Sequence, residues 1–265
     1  MEFAILDRLS FMRFLGLTLS DKVPDAKTIW LFREQLTKEN RVEKLFGLFR
    51  EECHKKNLIA NEGKIIDASF VEVPIQRNTR EENKQIKEGK TPDEWKEKPN
   101  KLAQKDTDAR WTKKNGKSYY GYKDHVKADA KSKLIDTYTV TDASVHDSQE
   151  TEPLLTEEDK GQSLHADSAY SGEPIKKIVE QHEMKNQIHE KGYRNNPLTE
   201  EQKENNKVKS KTRVRVEHIF GFIENSMNGS CIRTIGIGRA AAVIGLMNLT
   251  YNMFRYTQLV SLHSG

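Results

Sequence analysis

The stretch Gly63-Lys64-Ile65-Ile66-Asp67-Ala68-Ser69-Phe70 places one acid at the end of an apolar, β-branched run. It predicts a strand over Gly63–Val73 that is buried on both faces, in which a charged side chain is out of place unless something calls for it. A second run, Ser163-Leu164-His165-Ala166-Asp167-Ser168-Ala169-Tyr170, repeats the arrangement a hundred residues later. Two strands that each deliver a carboxylate suit a divalent metal site, because hard cations take oxygen ligands and a sheet can hold two acids side by side. The plainer reading of either Asp is a strand end or a turn cap.

Around these runs the composition sets bounds. The chain has 265 residues, enough for one substantial core, yet only 35% are hydrophobic and 32% are charged. The interior must therefore come from a few concentrated runs. A net charge of +4 and a pI of about 8.8 are too mild to argue for nucleic acid by themselves, so the placement of the basic residues decides. Cys53 and Cys231 are far apart and lack the spacing of a zinc site, as expected in a reducing compartment. The N-terminus lacks a signal-peptide pattern, and the longest apolar stretch, Ala240–Leu249, is half the length of a membrane span and reads as a buried helix. A cytoplasmic protein without membrane contact is expected.

Ahead of the first acid, Asp25 is a plausible N-cap for a helix carrying Ile29, Phe32 and Leu36, and Val42, Leu45, Phe46, Phe49 and Cys53 give a second helical stripe. This helical hairpin reads as a cap on the core rather than a DNA-reading module, since neither helix has a basic face. From Val71 to Ser118, thirteen Lys or Arg stand against nine Asp or Glu with few apolar residues, which predicts a mobile charged loop. In it Trp95 and Trp111 either stack on a base or pin the loop to the core. Lys117–Asp129 and Lys133–Val140 read as a hairpin, and Asp147 or Ser148 as the cap of a following helix. His125 and His146 read as structural. A helix opens at Ser171-Gly172-Glu173-Pro174, and Asn186–Glu190 is a short strand at best.

Lys207, Lys209, Lys211, Arg213 and Arg215 run without an intervening acid into Val216-Glu217-His218-Ile219-Phe220. On a helix Val216, Ile219, Phe220 and Ile223 face the core, with Glu217 at the edge of that stripe and Arg213 one turn before it. Taken alone, the Arg213–Glu217 pair is a surface salt bridge worth a few tenths of a kcal/mol.

Two strand-borne aspartates followed by a helix-borne glutamate resemble the DDE constellation of bacterial insertion-sequence transposases, with closest similarity to the insertion sequence five group of the insertion-sequence-four-like superfamily. The matching segments are Ile65–Ser69, Tyr120–Lys123, Asp142–Ser148, Ala166–Tyr170, and Arg213 with Val216–Phe220. The resemblance runs from about Phe11 to Tyr256. It implies an α/β, RNase H-like mixed sheet flanked by helices, with a helical segment over 1–60, truncated relative to the family's, and a catalytic domain over 61–260 carrying the charged insert at about 71–118. It also implies that Asp67, Asp167 and Glu217 are the catalytic residues and hold two Mg2+ ions, expected roughly 3.5 to 4 Å apart, for which Mn2+ can substitute. The implied activity is cleavage at transposon ends and strand transfer of the 3′-OH into target DNA.

The implied partners are terminal inverted repeats and target DNA, bound by a homodimer at the nucleoid. Lys207, Lys209, Lys211, Arg213, Arg215, Lys113, Lys114 and Trp111 are the expected DNA contacts. In the related signature a Tyr stands three before the Arg and a Lys seven after the Glu, whereas this chain has Ser210 and Glu224. Those departures leave a second expectation, a DNA-binding derivative that regulates without catalysing.

Overall fold

Asp67 lies inside its strand, fourth of the nine residues of β1 (Lys64–Glu72), rather than at an end. The computed structural model describes residues 2–263. Four helices precede that strand: α1 (Glu2–Asp7), α2 (Leu9–Phe14), α3 (Ala26–Lys38) and α4 (Arg41–Lys55). After it come the short helices α5 (Arg80–Lys87), α6 (Asp93–Lys96) and α7 (Pro99–Leu102), then β2 (Arg110–Lys114), β3 (Lys117–Asp129) and β4 (Ile135–Asp142). The chain continues through α8 (Thr151–Leu154), β5 (Ser163–His165), α9 (Glu173–Gln181), β6 (Lys185–Asn186), α10 (Glu200–Arg213), α11 (Arg215–Ser226) and α12 (Ile237–His263). The six strands form one mixed sheet in the order β2-β3-β1-β5-β6, with β4 also paired to β3. The ladders of β3 with β1, β2 and β4 are antiparallel, and those of β5 with β1 and β6 are parallel. This is the mixed α/β architecture with flanking helices that the sequence implies.

Alternation along β1 decides which helices cover which face. Ile65 packs with Val126, Ala128, Val216, Ile219 and Leu249, beneath α11 and α12. Its neighbour Ile66 points the other way, into Leu154, Leu164, Ile175 and Val179 from α8, β5 and α9, with Tyr170 from the turn after β5. Each such buried side chain contributes about 1.5–3 kcal/mol. By parity Asp67 shares the face of Ile65, and so faces α11.

The α12 helix contains the apolar Ala240–Leu249 stretch and uses its polar residues as ties to the sheet. Asn252 accepts a hydrogen bond from the Ile135 amide at 2.8 Å and donates to the Ile135 carbonyl at 2.8 Å, and the Asn248 side-chain amide donates to Asp124 at 3.0 Å. The α3–α4 hairpin docks on this helix, with Phe46 edge-on to Tyr138 at 4.8 Å and Arg239 bonded to Glu34. Asp25 caps α3 by accepting from the Thr28 amide at 2.7 Å. The hairpin is therefore the expected cap on the core.

The charged insert departs from expectation. Composition predicted a loop, yet α5 begins with a reciprocal Thr79–Glu82 capping box. Trp95 is completely buried and its indole donates to Glu82 at 2.5 Å, while the ammonium groups of Lys101 and Lys105 lie over its ring. One indole with paired charges around it supplies an anchor that an average over the segment conceals. The insert also contributes β2, joined to β3 through Asn115 and Gly116, both at positive φ as a tight hairpin turn requires. His146, rather than Asp147 or Ser148, caps the turn after β4, its imidazole accepting from the Ser148 amide at 3.3 Å. Buried His125 bonds the Thr141 hydroxyl at 2.8 Å, so both histidines are structural as expected.

Candidate active site

The parallel ladder between β1 and β5 pairs Lys64 with Leu164 and Ile65 with His165, and then stops. Asp67 and Asp167 each lie two residues beyond the last pair. The backbone is still extended at Asp167, with φ −75° and ψ 175°. Because side chains alternate, the two acids stand at the same level on neighbouring chains and on the same face. Bonds from the Gln187 amide to Leu164 and from the His189 amide to Ala166 carry the neighbouring ladder past the two residues of β6, which fixes the backbone leading to Asp167. Each acid is aimed by its own backbone: Asp67 Oδ1 accepts from the Ala68 amide at 2.8 Å, and Asp167 Oδ1 from the Ala169 amide at 2.7 Å.

Glu217 comes from the opposite layer. Val216, Ile219 and Ile223 bury one stripe of α11 against the sheet, and Glu217 on its flank stays 56% exposed. Arg213, the last residue of α10, reaches both acids. Its Nη1 is 3.3 Å from Asp67 Oδ2 and its Nη2 is 2.9 Å from Glu217 Oε1. Seven residues past Glu217, Glu224 accepts from the Ser69 hydroxyl at 3.0 Å, so α11 runs along β1 with one acid beside Asp67 and another beside Ser69.

Burial pushes the Asp67 carboxyl up to about 6, and the Asp167 charge adds to this; the Ala68 amide, Arg213 and Lys114 pull it only part of the way back. Behind it lies Tyr170, whose hydroxyl is buried without a partner and whose pKa is raised by burial and then by Asp67, Asp147 and Asp167. Lys123 anchors the adjoining loop, donating to the Val145 carbonyl at 2.6 Å and to Asp147 at 2.7 Å.

An under-neutralised, all-oxygen donor set of this kind fits a hard divalent cation. Another cluster does not. His54, Asp136 and Glu158 have ligand atoms within 4.8 Å of one another, but Arg50, Lys64 and Lys127 already neutralise Asp136. That group is an ion-pair knot: against its burial, the His54 hydrogen bond and then the charges of Lys127 and Lys64, with Arg50, hold the Asp136 carboxyl far below the usual range.

Residues 60–253 match the family model described as the transposase DDE domain. The chain belongs to that family. Its members are DNA cleavage and strand-transfer enzymes that use divalent metal. Residues 1–35 match a second model, described as Transposase domain (DUF772). The transposase for insertion sequence element IS1106 of Neisseria meningitidis serogroup B is 27% identical over 236 residues, covering 87% of this chain and 78% of that one. Among solved structures, the piggyBac transposase in a synaptic complex with hairpin DNA superposes with a TM-score of 0.51 at 14% identity. That match covers all of this chain, which spans 60% of the piggyBac chain, and it bears on the fold alone: the mixed sheet is RNase H-like.

Within this DDE-family fold the expected DNA contacts separate. Residues two apart on a helix lie about 200° apart around its axis, so the alternating basic run divides between two faces. Lys207 and Lys211 are exposed, Lys207 pairing with Glu204 at 2.8 Å. On the other side Lys209 donates to the Ile188 carbonyl at 3.0 Å, and Arg213 turns toward the acids. Arg215, past the helix break, donates to the Ala130 carbonyl at 2.7 Å. The basic run thus presents two faces, with Lys209 and Arg215 bonded to backbone carbonyls. Lys113 is exposed, and Lys114, 3.6 Å from Asp147, is close enough to lower the Asp67 pKa. Trp111 is 45% exposed and tilts against Tyr120 at 5.0 Å.

The sequence reading missed Lys123 and Tyr170 as parts of the site's surroundings. Both sit in segments that carry the family resemblance, but their value lies in burial, which sequence does not display. Ser210, at the Tyr position of the related signature, donates to the Asn206 carbonyl at 2.8 Å and lies 3.3 Å from His189 Nε2.

Proposed function

We propose that Asp67, Asp167 and Glu217 are the catalytic residues of a DNA transposase that cleaves at the ends of an insertion sequence and joins the freed 3′-OH to target DNA. The observation that carries this reading is the placement of Asp67 and Asp167 at one level of two parallel chains, with Glu217 tied to Asp67 through Arg213. The three carboxylates would hold divalent ions, Mg2+ with Mn2+ as substitute, whose bound chemistry is to activate water and neutralise the leaving oxygen. The protein's own part is positioning: the Ala68 and Ala169 amides orient two carboxylates.

Lys114, Lys113, Lys207 and Lys211 are the exposed cations offered to backbone phosphates, with Trp111 as an exposed ring on the same strand as the first two. The group assignment is insertion sequence five, the substrates are terminal inverted repeats and target DNA, and the setting is the bacterial nucleoid. We assign 61–260 as the catalytic domain and 1–60 as a helical segment packed on it. A homodimer would cover apolar side chains that the N-terminal segment leaves exposed. Phe3, Phe14, Leu19 and Phe32 are each at least 60% exposed.

The test is cleavage of a labelled inverted-repeat end. Asp167→Ala is expected to abolish nicking while sparing DNA binding, and nicking at the wild-type rate would overturn the assignment. Glu224 favours a second reading, since an acid beside Ser69 stands where the related signature has a Lys. On that reading the chain occupies DNA ends without cutting them, and the absence of nicking in Mg2+, with Ca2+ as control, would identify it.

A further inference from the structure

The oxygens best placed to take a metal are already engaged. Asp67 Oδ1 is held by its own chain, which leaves Oδ2 as its free corner, and that corner is bonded to Arg213. Glu217, more than half exposed, bonds the same guanidinium. Among the described residues the side chains gathered closely enough to hold a metal are those of the His54 cluster, not these three acids. Two of the three acids, Asp67 and Glu217, are thus closed on a cation that belongs to the protein.

Arg213 is well placed to leave. It ends α10, whereas Glu217 sits in the first turn of α11, and Val214 alone separates the helices, ending one and starting the other without a side-chain cap. The buried stripe Val216, Ile219 and Ile223 fixes α11 to the sheet, while α10 has no fully buried residue. A swing at Val214 therefore carries Arg213 away and leaves Glu217 where it is. The berth is also incomplete, because Arg213 Nε is buried and has no acceptor. A guanidinium with one unmade bond is held less firmly than a fully bonded one.

We infer that Arg213 is a resident counter-ion that keeps the metal-free site closed: its guanidinium stands between Asp67 and Glu217, and both carboxylates must release it before they can share a divalent cation. The inference rests on the proposed reading of the three acids as metal ligands. It makes Arg213 a positioning residue that competes with the metal, where an ordinary orienting arginine would assist it. Removing the guanidinium should strengthen metal binding rather than weaken it.

The experiment is Mn2+ titration of the full chain without DNA, following free Mn2+ by its electron spin resonance signal. Arg213→Met is expected to bind Mn2+ about tenfold more tightly than wild type, a difference of about 1.4 kcal/mol. Arg213→Lys, which keeps a charge but cannot bridge two carboxylates through a fork, should fall between them. Asp167→Ala, which leaves the Arg213 contacts in place, should lose the site. Equal or weaker binding by Arg213→Met, with Asp167→Ala still abolishing it, overturns the counter-ion inference alone. Saturable binding that survives in Asp167→Ala overturns the ligand assignment beneath it. Should Arg213→Met not fold, the wild-type chain carries the test: Mg2+ should shift the Arg213 Nε–H resonance, and an Nε–H signal unmoved at saturating Mg2+ overturns the inference.

Discussion

Asp67 carries two opposing demands. Burial and the Asp167 charge raise its carboxyl from an ordinary 3.8 to about 6, so the folded chain binds this proton more tightly than the unfolded chain does. Stability from this group is complete below about pH 4 and is lost as pH rises through about 6, at roughly 1.4 kcal/mol for each pH unit between those two values. In metal-free buffer Asp67→Asn should therefore stabilise the protein by about 2–3 kcal/mol above pH 7. The gain should fade toward pH 4. Denaturant melts at several pH values check this, and a variant no more stable than wild type at pH 7.5 would refute the burial argument. At Glu224 the expectation concerns charge alone. Glu224→Lys restores a cation beside Ser69 and should tighten binding to a DNA end, steepening the dependence of log K on log salt by about one. Fluorescence anisotropy over a salt series measures that slope.

At the scale of elements, the sequence revealed what periodicity encodes and concealed what depends on single buried anchors. The β1 strand, the β3–β4 hairpin, the α3–α4 cap and the α11 stripe were all legible, because each buries a regular pattern of apolar side chains. The roles proposed for Asp167 and Glu217 come from their combination with Asp67, since neither residue is distinctive by itself. The insert was misread because Trp95 and a capping box outweigh the many charged and polar neighbours in deciding local order. The division of the basic run between two faces is not visible in the sequence as a string, because residues two apart on a helix lie on opposite sides of it. Trp95→Ala should remove the insert's anchor at a local cost of about 3–5 kcal/mol. Limited proteolysis between Arg80 and Lys105 should then speed up while the β1–β3 ladder stays protected, and unchanged cleavage there would show that the indole is not the anchor.

For the whole molecule, the cap and the sheet meet through Gly245. A Cβ at that position would lie 2.2 Å from the Tyr138 hydroxyl and 2.9 Å from Val42, so only glycine lets α12 pack this closely to both. Gly245→Val should force α4 and β4 away from α12 and cost about 1–3 kcal/mol. Calorimetry should record a drop in Tm of several degrees, and an unchanged Tm would mean that the contact yields freely. A formal charge of +4 over 265 residues gives little long-range pull on a polyanion. No described helix is long and apolar enough to cross a membrane.

The two-pair ladder between β1 and β5 also sets how this chain tolerates changes in length. A slip of one residue turns every following side chain of a strand to the opposite face. A single-codon insertion or deletion between His165 and Asp167 would thus swing the second acid away from α11 and into the layer of α8 and α9, while leaving composition and charge almost untouched. Loops elsewhere can gain or lose residues and keep the site, but this link of one alanine is in effect a reading frame for the acid that follows it.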